Sequence, residues 1–388
     1  MKLKQTPADF RVEELTDTTA GPSGEFAFYR LEKIGWTTPD ALQMIRRRWD
    51  IDFRRLGYGG LKDRHADTVQ YLSIFRGPAR DLEQDRIRVK YLGQIHEPYG
   101  SRDIRANRFA IVLRGLSADD ERSALAAAMQ VRETGVPNYF DDQRFGSVGP
   151  DRQFIAKQMV LGQFENALKL ALMAPYEHDR AESKHEKATL LAHWGDWPKC
   201  KAELPRGHAR SLVDYLVSHP THFKGAVVRL RPELRGLYLS AFQSDLWNRI
   251  LARWLTTHLP ADALGSLELK LGPHPVPRTV PPPLRPKWES LSLPLPSARL
   301  KPEPNAEWLP IVEEVLAEEG LTLPKMKVPG MDEPFFSKGD RLGCLLPYGL
   351  TATGGNDELN RGRRAITLRF DLPRGAYATM IVKRITAM

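Results

Sequence analysis

Two hydrophobic rhythms alternate along the first 150 residues. After Thr38-Pro39, an N-cap with proline at the first helical position, Ala41, Leu42, Ile45 and Trp49 recur at helical spacing and share one face. Ser117 caps a second helix, in which Leu125, Ala128 and Met129 form the apolar stripe, and Gly135 stops it. Around these helices the period shortens. Asp67–Phe75 and Phe109–Arg114 are runs of β-branched and aromatic residues and predict strands. The alternation predicts an α+β layer whose strands are mostly antiparallel.

From about 152 to 340 the pattern turns helical. Apolar faces recur at 154–173, at 182–194 and at 308–319, where Gly320 ends the run. A further helix is predicted over 237–256, with Leu239, Phe242, Leu246, Ile250 and Trp254 on one face. Pro273–Pro304 holds eleven prolines and reads as an extended loop without helix. After about 341 the strand pattern returns in Ala365–Phe370, and Leu372-Pro-Arg-Gly turns into a short helix, Tyr377–Ile385. The order predicts two domains: 1–152 with 341–388, and an inserted, largely helical 153–340. A chain of 388 residues is long enough for two cores.

Composition narrows the class. An apolar fraction of 41% and a charged fraction of 27% belong to a globular chain, not a disordered or fibrous one. Mean hydropathy is −0.42, and no run approaches the roughly 18 apolar residues of a membrane span. The start, Met1 to Pro7 and then the acidic Val12-Glu-Glu-Leu, carries no apolar signal core. Two distant cysteines, Cys200 and Cys344, match no metal or redox spacing, so a reducing, cytoplasmic setting is expected. The absence of a coiled-coil heptad makes a monomer the expected state. Lys and Arg number 57 against 48 Asp and Glu, a net charge of +9, which favours a polyanionic partner.

Motifs of nucleotide, dinucleotide, zinc and serine-hydrolase chemistry are missing. His219-Pro-Thr-His222 is the nearest approach to a ligand pair and has no third ligand close by. A cofactor-free mechanism is therefore expected. Three segments carry candidate chemistry. Gly57-Tyr-Gly-Gly-Leu-Lys-Asp63-Arg-His65 combines close-approach glycines with a carboxylate among cations, which suits an ionised nucleophile; a turn-capping Asp63 is the competing reading. Gly135-Val-Pro-Asn138-Tyr-Phe140-Asp-Asp-Gln143-Arg144-Phe145-Gly146 mixes flat rings with amide and guanidinium groups, as a flipped base requires; packing into the core would explain it equally well. Leu372-Pro-Arg-Gly-Ala-Tyr377-Ala-Thr379 sets an aromatic at a helix start.

Taken in order these segments resemble the TruD family of tRNA pseudouridine synthases. The strings are Lys4-x-x-Pro7-x-Asp9-Phe10-x-Val12-x-Glu14, Gly60-Leu-Lys62-Asp63-Arg-His65-Ala66-x-Thr68-x-Gln70, Asn107-x-Phe109 and the segment from Gly135 to Gly146. Ser240-Ala-Phe-Gln243-Ser244-x-x-Trp247-Asn248, Val328-Pro-Gly330 and Leu372-Pro-x-Gly375-x-Tyr377-Ala378-Thr379 complete the pattern. The resemblance implies a pseudouridine-synthase-like α+β catalytic domain with a mixed, mostly antiparallel sheet, carrying an inserted TRUD domain. It implies isomerisation of uridine in tRNA, usually uridine-13 of the D-arm, by aspartate catalysis with base flipping. The family's nucleophile falls on Asp63; whether it attacks the ribose or assists loss of a ribose proton stays open. Substrate-contacting positions fall on Phe10, Asn138, Phe140 and Tyr377, with Lys4 as partner of the Asp63 carboxylate. Asp141, Tyr377 and Arg384 depart from the family pattern, and Arg384 is expected to alter the RNA-binding surface. A non-catalytic RNA-binding or RNA-folding protein of the same fold is the alternative, against which the intact Asp63, Lys4 and Asn138 argue.

Overall fold

The period-two segments pair into one sheet in a computed structural model that describes residues 1–176, 179–331, 333 and 335–387. Its main strands are Phe10–Thr16 (β1), Phe26–Ile34 (β2), Asp67–Phe75 (β3), Leu82–Gln84 (β4), Ile87–Ile95 (β5), Ile104–Leu116 (β6), Tyr348–Asn356 (β7) and Arg364–Pro373 (β8). Their spatial order is β7-β8-β6-β1-β3-β2-β5-β4. Among the described residues β1 and β3 run parallel and the other neighbours antiparallel. Both ends of the chain therefore meet in one sheet. The chain forms two compact units, Met1–Val136 with Leu345–Met388, and Pro137–Cys344.

In the first unit, helices Thr38–Trp49 (α1) and Ala118–Thr134 (α2) and a C-terminal helix Ala378–Thr386 cover one sheet face. Thr37, not Thr38, caps α1, its hydroxyl accepting the Asp40 N–H at 3.2 Å. Ser117 and Asp120 cap α2 reciprocally, each bond 3.0 Å. The buried stripe of α2 is Ala124, Ala127, Ala128 and Val131, while Met129 is exposed. Leu125 packs partly buried against the same core, as the pattern predicts, while Met129 faces outward. Cross-strand register places Phe10 opposite Ile111 and Ile111 opposite Leu368, so alternate residues of β1, β6 and β8 join α2 and the C-terminal helix in one apolar cluster. A second cluster, with Ala27, Tyr29, Leu31, Leu72 and Ile74, packs on α1.

Between the two clusters the same face turns polar. Glu14, Lys33, Thr68 and Gln70 are all fully buried there, on the inward row of β1, β2 and β3. Burying such groups without partners costs several kcal/mol each, on the order of 2–7 for an amide or hydroxyl. The loop between Gly57 and Ala66 supplies partners for Glu14, Lys33 and Gln70, while the Thr68 hydroxyl donates to the Lys33 carbonyl at 3.3 Å.

The second unit is built around the long helix Pro232–His258, which buries Leu239, Phe242, Leu246, Ile250 and Trp254 as the pattern predicts. The run 154–173 breaks into Ile155–Val160 and Phe164–Met173 at Gly162, whose φ is 73°. The proline-rich stretch is not one extended loop. Gly272–Pro277 pairs with Leu264–Leu269, Arg285–Glu289 is helical and Ser292–Pro294 pairs with Asp340–Leu342. Pro273, Pro275 and Pro277 sit at alternate positions of a two-stranded ribbon, so the missing N–H groups all point away from the partner strand.

The units divide at Val136/Pro137 and Cys344/Leu345, where the composition shift suggests about 152 and 341. Hydrogen bonds explain the earlier boundary. Tyr139 donates its hydroxyl to the Pro275 carbonyl at 2.9 Å, and the Phe140 N–H donates to Asn248 Oδ1 at 2.8 Å. These tie the segment after Pro137 to the helical unit.

Candidate active site

The glycines of the Gly57–His65 loop serve packing more than turning. A Cβ on Gly57 would lie 2.6 Å from the Tyr99 carbonyl oxygen, and one on Gly59 2.4 Å from the Ile104 Cδ1. Gly60 has open space around its Cα, and none of the three has a positive φ. Pressed against the sheet in this way, the loop reaches the polar row. Gln70 Nε2 donates to the Gly60 carbonyl at 3.3 Å, and the Lys62 N–H donates to the Thr38 hydroxyl at 2.9 Å. Lys62 Nζ meets the Glu14 carboxylate at 2.9 Å and Asn107 Oδ1 at 2.8 Å. The β1–β3 pairing ends at Glu13 and Val69, and Glu14 fills the gap, accepting the Tyr71 N–H at 3.1 Å.

Lys33 is the residue that the sequence reading missed. It is 1% exposed, and its Nζ donates to the carbonyls of Trp36 (2.7 Å), Asp63 (3.3 Å) and Lys62 (3.4 Å). Its signal was parity: Ala27, Tyr29, Leu31 and Lys33 occupy one inward row of β2. A lysine in that row needs buried acceptors.

This scaffold holds Asp63 at the loop tip. Its Oδ1 accepts the His65 N–H at 2.9 Å and its Oδ2 accepts the Lys4 ammonium. Burial pushes the Asp63 carboxyl up, but the hydrogen bonds from Lys4 and the His65 backbone, with the charges of both residues, outweigh it and hold the carboxyl below its ordinary value. The group is an ionised, half-buried carboxylate. Lys4 reaches it from a left-handed backbone conformation with φ 57°, costly for a side chain without glycine's freedom. The same ammonium lies 4.2 Å from the centroid of the Phe10 ring, whose edge packs on Phe109 at 6.3 Å.

Lys4, Phe10 and Asp63 thus come together. Tyr377 belongs to the same unit, half-buried at the N-cap of the C-terminal helix, after Gly375 in the left-handed region at φ 81°. The strand leading to it pairs Leu372 with Asn107, the residue that binds Lys62. Arg384, expected at the RNA-binding surface, is instead 1% exposed, with a hydrogen bond to Gln130 Oε1 at 3.3 Å.

Asn138 and Phe140 belong to the second unit. The Asn138 amide braces its own unit instead of standing free for a base edge: Nδ2 donates to the Leu342 carbonyl at 2.9 Å and Oδ1 accepts Arg341 at 2.7 Å. The Phe140 ring has the Arg341 guanidinium 4.1 Å from its centroid and meets Trp247 edge-on at 5.6 Å. It is a packed ring, 7% exposed. His219 and His222 gather around Tyr215, which stacks on the first at 4.4 Å and hydrogen-bonds the second. Among the described residues no three His, Cys, Asp or Glu side chains are grouped as metal ligands, and no helix is long and apolar enough to cross a membrane.

A family model described as tRNA pseudouridine synthase D (TruD) matches residues 1–266 and 286–385. The chain belongs to the TruD family. It is therefore a tRNA pseudouridine synthase, an isomerase. A probable tRNA pseudouridine synthase D of Methanococcus maripaludis is 29% identical over 99% of both chains. The tRNA pseudouridine synthase D of Aquifex aeolicus is 28% identical over 99% of this chain and 98% of its own. The crystal structure of a TruD from Methanosarcina mazei superposes with a TM-score of 0.74 at 26% identity, covering 100% of this chain and 93% of that one. The interval 267–285, outside the TruD match, contains the proline strand Gly272–Pro277.

Proposed function

We propose that this TruD protein isomerises uridine-13 in the D-arm of tRNA, with Asp63 as the catalytic carboxylate and no cofactor. The observation that carries the reading is the ionised Asp63 carboxylate, set by Lys4 at the tip of a loop pinned over a buried polar row. The reaction breaks N1–C1′ of the uridine, turns the base and joins C5 to C1′. C5 gives up its proton and N1 gains one, so product and substrate are isomers. The carboxylate acts either as nucleophile on the ribose or as acceptor of a ribose proton, and both roles require it ionised. Lys4 orients it through a charge-assisted hydrogen bond.

Uridine must leave its stack to reach the carboxylate, at a cost of a few kcal/mol; an aromatic contact returns on the order of 1–3 kcal/mol per base. Phe10 and Tyr377 are the rings assigned to that contact, and Phe140 and Asn138 are substrate-contacting positions by resemblance to the family. The protein acts as a monomer in the cytoplasm, where the buried thiols of Cys200 and Cys344 stay reduced.

The test is Asp63→Asn with tRNA whose uridines carry tritium at C5. The variant should bind tRNA within a few-fold of wild type and release no tritium. Substantial release would remove Asp63 from the chemistry. Free uracil in the wild-type reaction would mean hydrolysis of the glycosidic bond instead of isomerisation.

A further inference from the structure

A concavity of about 530 Å³ opens beside the Asp63 loop, and the reaction above makes no use of it. Gly35 and Trp36 form one wall, and Arg47, Arg48 and Arg64 reach into it. Arg64 directly follows Asp63, and its Nε donates to the Gly35 carbonyl at 3.2 Å. Lys33 bonds the Trp36 carbonyl and the Asp63 carbonyl together from below. The wall of the concavity and the backbone of the carboxylate are therefore held by one buried cation, in fixed register.

The charges in it are not accounted for by folding. A helix C-terminus favours a cation in its last turn, and Arg46 already serves α1, its Nε donating to the Ile51 carbonyl at 3.2 Å. Arg47 and Arg48 are exposed, and among the described residues neither they nor Arg64 forms an ion pair. Asp40 also lines the space, its carboxylate accepting the Thr37 hydroxyl at 2.6 Å, so the lining carries three guanidinium charges against one carboxylate. The lining is net positive, which favours an anion in the concavity.

We propose that this groove seats phosphodiester groups of the tRNA strand that carries the target uridine, on Arg47, Arg48 and Arg64. The inference rests on Asp63 being the catalytic carboxylate. A nucleotide extruded onto Asp63 has a phosphate on each side, so one of them must lie within a nucleotide's length, where Arg64 stands. The planar guanidinium donates two parallel N–H groups to phosphate oxygens, which suits this ligand better than an ammonium would.

The test compares the double variant Arg47→Ala/Arg48→Ala with Arg122→Ala/Arg132→Ala, which removes the same charge from exposed positions of α2. Binding of unmodified tRNA is measured from low to high salt, with KM and kcat for tritium release, in the full chain. The groove variant should lose about tenfold or more in affinity at low salt, and the slope of log affinity against log salt should flatten by about 1–2. Its KM should rise with kcat within twofold, and the α2 variant should stay near wild type. Unchanged affinity and slope in the groove variant would overturn the proposal, as would an equal loss in the α2 variant. Uridine monophosphate should displace tRNA only weakly; displacement at micromolar concentration would make the groove a mononucleotide site and also overturn it. Tritium release by Asp63→Asn reports on the carboxylate independently, so the two readings fail separately.

Discussion

The Lys4 ammonium is hydrogen-bonded to Asp63 Oδ2 and lies 4.2 Å from the Phe10 ring centroid. One cation thus fixes the carboxylate and covers the buried Phe10 ring. Removing it affects both in known directions. Lys4→Met leaves burial opposed only by the His65 N–H and charge, so the Asp63 carboxyl climbs. The wild-type carboxyl sits below its ordinary 3.8, and its acid limb in kcat should lie lower still than that value. In the variant the limb should move up by about one pH unit or more, as loss of an adjacent opposite charge requires. A pH–rate profile measured by tritium release checks this. An unmoved limb would show that Lys4 does not control the carboxylate.

Lys33 gives a prediction at the other end of the scale. Burial lowers its ammonium to about 8, helped by the Lys62 charge and opposed by Asp63. Above that pH the amine keeps two hydrogens for three carbonyls, and the hold on the Lys62–Asp63 backbone loosens. Turnover should therefore fall as pH rises through about 8, and Lys33→Arg, which stays charged, should lose this alkaline limb. Global stability should move the opposite way. The unfolded lysine holds its proton up to 10.5, so between about 8 and 10.5 the unfolded state binds more protons and folding gains with pH. Urea melts at pH 7.5 and 9.5 beside the rate profile separate loosening of the loop from unfolding.

The sequence was most legible where local rules act. Asp67–Phe75 is a strand with the predicted ends, and the Ser117 cap and Gly135 stop bound α2. Asp63 and Lys4 were legible through motif order, and they do meet. What the pattern missed depended on pairing and partners that local composition does not reveal. Proline density reads as loop, yet a two-stranded ribbon offers an outer edge where prolines cost nothing. Arg384 and Asn138 read as surface or substrate groups because their chemistry permits it. Contacts far along the chain, invisible to a local pattern, engage both: Arg384 donates to Gln130 Oε1, and Asn138 donates to the Leu342 carbonyl and accepts from Arg341.

The loop glycines differ in what they permit. A methyl group at Gly59 meets the Ile104 side chain at 2.4 Å, whereas at Gly60 it meets nothing within 4 Å. Gly59→Ala should displace the loop or the Ile104 side chain, at a cost of about 1–3 kcal/mol by overpacking. Gly60→Ala should leave the melting temperature unchanged or slightly raised, through the stiffer unfolded chain. Its tritium-release rate then reports whether substrate needs the open space above Gly60. Equal destabilisation by both substitutions would contradict the packing described for this loop.

The second unit carries a pH-sensitive carboxyl of its own. Burial raises Asp245 to about 6, with Glu319 adding to the rise and Arg249, 3.7 Å away, and Lys157 opposing it. A carboxyl raised above its unfolded value of 3.8 favours folding when protonated. Its contribution is full below about 3.8 and is lost as pH rises through about 6. At pH 7 to 8 the buried charge is therefore a burden, and Asp245→Asn should stabilise the protein by at most about 3 kcal/mol, the free energy of a two-unit shift. The gain should shrink as pH falls and vanish below about pH 4, where Asp245 is already neutral in both states. Thermal melts of the two proteins from pH 4 to 8 trace that difference. A variant less stable at every pH would mean that the Arg249 contact outweighs the cost of burying the charge.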